Sequence, residues 1–172
     1  MPDRRIFLLS PANLNGLRAK QLMSPRATFQ AATMYRSEEG VPIALAFAFM
    51  SALYFRGKIT YALHFAEADD VRVIAPGFGL VHPQWRITEG RMKTLKKTEV
   101  DLSKRNYRKP FERDARALAE EIEPDTKVVL LGSVATGKRI MAAASATLKR
   151  VHLELGGKSA ALFLDDANLD MG

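Results

Sequence analysis

The sequence predicts an α/β protein with a mainly parallel sheet and flanking helices. Three observations lead there. Short apolar runs alternate along the chain with stretches of helical periodicity, the order that builds strand–helix–strand units. One run, Lys127 to Leu131, is continuously apolar and partly β-branched, as a strand covered on both faces must be. Finally, 172 residues with 47% apolar and 26% charged side chains can bury a sizeable core in about one domain without covalent staples.

Taken in order, Arg5 to Leu9 is a first strand closed by the polar turn Ser10-Pro11-Ala12-Asn13. Pro42 to about Phe55 reads as one helix with Pro42 in its first turn, extendable through Tyr61 to Ala66. Val71 to Ile74 is a second strand, stopped by Ala75-Pro76-Gly77. Pro110 to Ile122 carries Phe111, Ala115, Leu118 and Ile122 at helical spacing. Lys127 to Leu131 is the third strand, followed by the loop Gly132 to Gly137 and a helix over about Lys138 to Leu148. Arg150 to Leu155 and Ala160 to Leu164 are further strands around Gly156-Gly157. A helical crossover after Gly137 should lay Arg150 to Leu155 parallel to Lys127 to Leu131.

Composition excludes several function classes. Cysteine is absent, so this chain has no disulfide framework, thiolate zinc site, iron–sulfur cluster or cysteine nucleophile. The net charge is +7, yet nine basic residues between Arg86 and Lys109, opposed only by Glu89, Glu99 and Asp101, carry six of those charges. A block of that kind is expected to be a solvated helix and loop. The alternative is a non-enzymatic binding module for a nucleotide, or for an acidic partner through residues 86–109. Nucleic acid is not expected, because stacking aromatics occur only as Trp85 and Tyr107 near its ends. The apolar run Val41 to Phe55 is shorter than the roughly 20 residues of a membrane span, and Ile6 to Leu9 is too short for an export signal. A soluble, cytoplasmic protein is expected.

The stretch VVLLGSVATGKRIM puts a strand, a glycine-bounded loop and a helix in succession, which aims backbone N–H groups at one spot and makes an anion site. Gly132, four residues and Gly137-Lys138 match the start of a P-loop, with Ala161 to Asp165 in the place of a magnesium-binding strand. The match fails at Arg139, where Ser or Thr must hold magnesium. A dinucleotide site is the other reading, and Glu154 then falls near the acidic position that binds a ribose about 20 residues on. The remaining alternative is that Glu154 merely ends a strand, as solvated carboxylates do.

The downstream segment Thr147 to Asp170, TLKRVHLELGGKSAALFLDDANLD, decides between them. With the Gly132 loop it resembles the aldehyde dehydrogenase superfamily, in which a G-S-T-x-x-G loop leads to an E-L-G-G-K signature. The resemblance implies a truncated Rossmann-like dehydrogenase segment over 132–172 that carries part of a site for NAD or NADP. It implies that Gly132, Ser133 and Gly137 contact the pyrophosphate, that Leu155 and Gly156 join the cofactor site, and that Glu154 is the general base for a hydrolytic water. A glycine pair beside that carboxylate suits a base that must move toward water. Val134 stands where the family has Thr, and Leu131 replaces the Thr common before the glycine. Lys109-Pro110-Phe111-Glu112 mimics the family's K-P-x-E motif but lies too close to Gly132 to serve as one. No cysteine nucleophile or oxyanion asparagine motif is present, so the chain alone is expected to be inactive on aldehydes.

Residues 1–131 form a separate expected α/β domain. They resemble a group of bacterial proteins with a start like IFLLSPAN, a run ending ALYFRGK and a VIAPGFGL segment, from which no activity carries over. The expected join lies within Gly132 to Arg139, making a chimeric reading frame. Of the remaining candidates, His64, His82 and His152 have no metal-ligand spacing, and no metal site is expected. Ser10, Asn13 and Arg18 follow the first strand, where α/β ligands often sit, although turn roles explain Ser and Asn there. Gly77-Phe78-Gly79 is read as an ordinary turn rather than a ligand contact. Trp85 is read as packing on the core edge rather than on a base.

Overall fold

The computed structural model describes residues 4–123 and 125–132, together with the strand backbone at 152–155. The expected helix at Lys138 to Leu148, the strand at Ala160 to Leu164 and the join at 132–139, beyond Gly132 itself, lie outside the described residues.

Among the described residues the main sheet has five strands, β1 (Arg5–Leu9), β3 (Val71–Ala75), β4 (Gly79–Val81), β6 (Lys127–Gly132) and β7 (His152–Leu155), in the order β4-β3-β1-β6-β7. β1, β3, β6 and β7 run parallel, and β4 folds back antiparallel on the outer edge of β3. The chain builds outward from β1 on one side, then returns to build on the other, as in doubly wound sheets. The expected parallel pairing of the third strand with its downstream neighbour is present, with Val129 opposite His152 and Gly132 opposite Leu155.

Alternation explains why β1 is apolar from Ile6 onward. Phe7 and Leu9 join the larger core with Val71, Val73, Val129 and Leu131, beneath the helices that precede β3. Ile6 and Leu8 face the opposite way, joining Ile74, Leu130 and Tyr107. The first face is covered by α1 (Leu17–Leu22), α2 (Gln30–Arg36), α3 (Ile43–Ser51) and α4 (Leu53–Phe65), which supply Leu22, Ala32, Phe47 and Phe55. The second face is covered by α6 (Arg105–Glu121), through Tyr107, Phe111 and Leu118. A strand with helices on both sides has no solvent face to mark with polar residues.

Three boundaries differ from the sequence expectation. The helix expected from Pro42 to Phe55 and beyond is two helices, broken at Ala52, whose φ of 49° is unusual for a residue with a Cβ. Pro42 is not inside the first turn. It caps α3 and pairs through β2 (Val41–Pro42) with β5 (Arg86–Ile87). The helix expected to start at Pro110 starts at Arg105 and carries Pro110 in its interior, where proline removes one backbone hydrogen bond.

The turn Ala75 to Gly79 is held by contacts of its own. The Phe78 N–H donates to the Ala75 carbonyl at 2.9 Å, and Phe78 packs on Trp85 with ring centroids 4.9 Å apart. Gly79 sits at φ 101° against α6, where a Cβ would overlap the Asp114 carboxylate and crowd the Pro110 carbonyl. Asp114 accepts the Leu80 N–H at 2.8 Å, tying the hairpin to the helix.

Candidate functional site

In an open sheet of this winding, ligands bind beyond the carboxyl ends of the strands where the order reverses. Here that point lies between β1 and β6. Their register runs from Arg5 opposite Lys127 to Leu9 opposite Leu131, so the strands end side by side. The Ser10 N–H extends the ladder by donating to the Leu131 carbonyl at 3.1 Å. Gly132, buried at the end of β6, therefore lies next to the first turn of the chain after β1.

Ser10 is 6% exposed, and its side chain has a partner from a distant helix. Lys58 on α4 brings its Nζ to 2.7 Å from Ser10 Oγ and donates to it. The helix fixes this geometry. Phe55, Ile59 and Ala62 make the buried stripe of α4, and Lys58 flanks it at the border of core and solvent. Tyr54, one turn earlier, lays its ring 3.8 Å from the ammonium. Among the described residues no carboxylate pairs with Lys58. Burial pushes the Lys58 ammonium down from its ordinary 10.5 to about 8.

The other flagged residues near β1 are structural. Asn13 Oδ1 accepts the Asn15 N–H at 3.0 Å, an Asx turn, and Arg18 donates to the Phe49 carbonyl at 3.4 Å. Lys58 was not singled out from the sequence, because its partner lies 48 positions away and nothing local marks it.

On the other side of the crevice, β7 places Glu154 opposite Leu131 and Leu155 opposite Gly132. The backbones of three residues flagged in the sequence, Gly132, Glu154 and Leu155, are thereby brought to adjacent strand positions. Ser133, Gly137 and Gly156 lie outside the described residues.

The basic stretch is a largely exposed run of helix and loop. In α5 (Glu89–Lys97), Met92 and Leu95 are buried while the lysines face outward. Arg91 stacks over Trp85 at 4.7 Å and donates to the Arg86 carbonyl at 2.7 Å, so Trp85 is a core-edge residue. Arg86, Lys104 and Arg108 pair with Glu39, Glu99 and Glu112. No group of three or more metal-ligating side chains forms among the described residues. Among them, too, no helix is long and apolar enough to cross a membrane.

Comparison with known proteins bears on the last part of the chain. The fold is α/β with a mixed, mostly parallel sheet, and residues 115–171 match the aldehyde dehydrogenase family. The match starts within α6, earlier than the motif residues alone define. A 48-residue stretch is 58% identical to betaine aldehyde dehydrogenase of Rhizobium etli (strain CIAT 652), covering 27% of this chain and 10% of that protein. Another alignment, of 45 residues, is 51% identical to mitochondrial succinate-semialdehyde dehydrogenase of Arabidopsis thaliana, 26% of this chain and 8% of that one. The matched part thus spans about a tenth of the length of these relatives. No solved structure matches the chain.

Proposed function

We propose that the β6–β7 unit is part of a nicotinamide-dinucleotide site, and that this chain binds NAD or NADP without itself oxidising aldehydes. The pairing of Gly132 with Leu155, and of Leu131 with Glu154, carries the reading. It sets the loop glycine and the signature glutamate on neighbouring strands at the edge where such ligands bind. The fit rests on Gly132, which ends β6 buried and beside the β1 turn, at the reversal point itself. By resemblance, Gly132, Ser133 and Gly137 would hold the pyrophosphate, Leu155 and Gly156 would line the site, and Glu154 would hold a proton taken from water. When bound, the nicotinamide supplies a hydride acceptor. The family's covalent step needs a thiolate, and this chain has no cysteine.

Calorimetric titration of the purified chain with NAD and with NADP tests this reading and separates the two cofactors. Ser133→Asp puts a negative charge where phosphate should sit and should weaken binding by about tenfold or more. Absence of saturable binding by either dinucleotide refutes the proposal, as does unchanged affinity in Ser133→Asp.

A further inference from the structure

The Ser10–Lys58 pair belongs to neither the resemblance nor the cofactor reading. Ser10 closes the central strand of the sheet, is nearly inaccessible as a residue, and keeps its backbone fixed by the bond to Leu131. Its hydroxyl meets Nζ of Lys58 at 2.7 Å, within the 2.6–3.2 Å range expected of a nucleophile and its base. The amine is oriented in turn by the Tyr54 ring. We propose that Ser10 and Lys58 form a serine–lysine dyad that transfers acyl groups from small carboxylic esters.

The step balances within the two residues. Neutral Lys58 Nζ takes the Oγ proton as Oγ bonds to the ester carbonyl carbon. The bond from that carbon to the leaving oxygen breaks, and the departing alkoxide takes the proton from the Lys58 ammonium. Water repeats the sequence on the acyl-serine, releasing the acid and restoring both side chains. Serine–lysine pairs are an established solution to nucleophile activation.

The surroundings favour a neutral amine. Among the described residues the elements packed most extensively on α4 are α3, which has no titratable side chain, and β1, whose one charged residue, Arg5, lies at the far end of the strand. On α4 itself the charged or titratable side chains are Tyr54, Arg56, Tyr61 and His64, and none is an acid ionised at neutral pH. Among the described residues no counter-charge reaches Lys58, and burial lowers its proton affinity to about 8.

Treatment of the purified chain with an alkyl fluorophosphonate reports on the dyad, since Oγ bonds to phosphorus and fluoride leaves. After tryptic digestion the adduct should sit on the peptide Ile6 to Arg18, in which Ser10 is the one hydroxyl side chain. The labelling rate should rise about tenfold from pH 7 to pH 9, as the neutral fraction of a group titrating near 8 grows from about a tenth to about nine-tenths. Lys58→Arg keeps a charged donor beside Ser10 but cannot accept a proton, so it should label at least about tenfold more slowly, and Ser10→Ala not at all. No adduct on that peptide, a flat pH profile of the unmodified chain, or full-rate labelling of Lys58→Arg would each overturn the dyad. Dinucleotide titration reads other residues, so failure here leaves the cofactor proposal standing.

Discussion

Replacing Lys58 by Met should change both the level and the pH dependence of stability. Met keeps most of the stem's packing and removes the charge. The Lys58 ammonium falls from 10.5 to about 8 on folding because burial penalises its charged form. At about 1.4 kcal/mol per pH unit that difference is worth up to about 3 kcal/mol. Lys58 keeps partial solvent contact, so screening reduces the figure to about 1–2 kcal/mol. Between pH 8 and 10.5 the unfolded chain binds a proton at Lys58 that the folded chain has released, so wild-type stability rises with pH across that window. Below pH 8 both states are protonated and the penalty is present in full. Urea unfolding of both proteins at several pH values from 7 to 10.5 measures the effect. Lys58→Met should be the more stable at pH 7, by up to about 1–2 kcal/mol less whatever the lost bond to Ser10 contributes, about 1 kcal/mol. The wild type should gain on the variant by about 1–2 kcal/mol as pH rises through the window. Only the variant-minus-wild-type difference is read, so titration of groups away from Lys58 cancels, and Tyr54→Phe in both backgrounds removes that of its ring neighbour. A difference independent of pH would refute the argument that Lys58 is held in a dehydrating site.

Three further outcomes are expected. Gly79→Ala should destabilise by more than about 2 kcal/mol in urea unfolding, because φ is 101° and the added methyl overlaps Asp114 and crowds Pro110. Ala52→Gly should raise the melting temperature, since relieving a positive φ, worth about 1–3 kcal/mol, exceeds the added unfolded-state entropy of about 0.5–1 kcal/mol. The purified 172-residue chain should show no NAD(P)-linked oxidation of acetaldehyde or benzaldehyde in an absorbance assay, and turnover that disappears in Glu154→Gln would contradict the need for a thiolate.

The strands were legible where burial on both faces removed every reason for polar residues. Ile6 to Leu9 and Val128 to Leu131 are such runs, and Val71 to Ile74, a strand too, departs from the pattern at the half-buried Arg72. β4 was not legible, since its three residues are held as a strand by pairing with β3 and by Asp114 from α6. α1 and α2 lack side-chain caps and are short, so their stability comes from packing Leu22 and Ala32 on the core rather than from local signals. The break at Ala52 had no glycine or proline to announce it, and Pro110 misled in the opposite direction, marking a helix start that lies at Arg105. At the site, glycines and a signature glutamate could be read locally. The contact between Ser10 and Lys58 exists only after α4 has packed on β1.

The placement of β1 has a consequence for how the chain reaches its native state. One neighbour of β1, β3, arrives with residue 71, but the other, β6, begins at residue 127. During synthesis from the N-terminus, β1 and β3 can associate under their helices while the remaining edge of the central strand is still unpaired. Closing so long a loop slows the final pairing and leaves an apolar edge open to other chains in the interval. A nascent chain arrested before residue 127 should therefore be far more prone to association, or to capture by a chaperone, than one released after β6 has emerged.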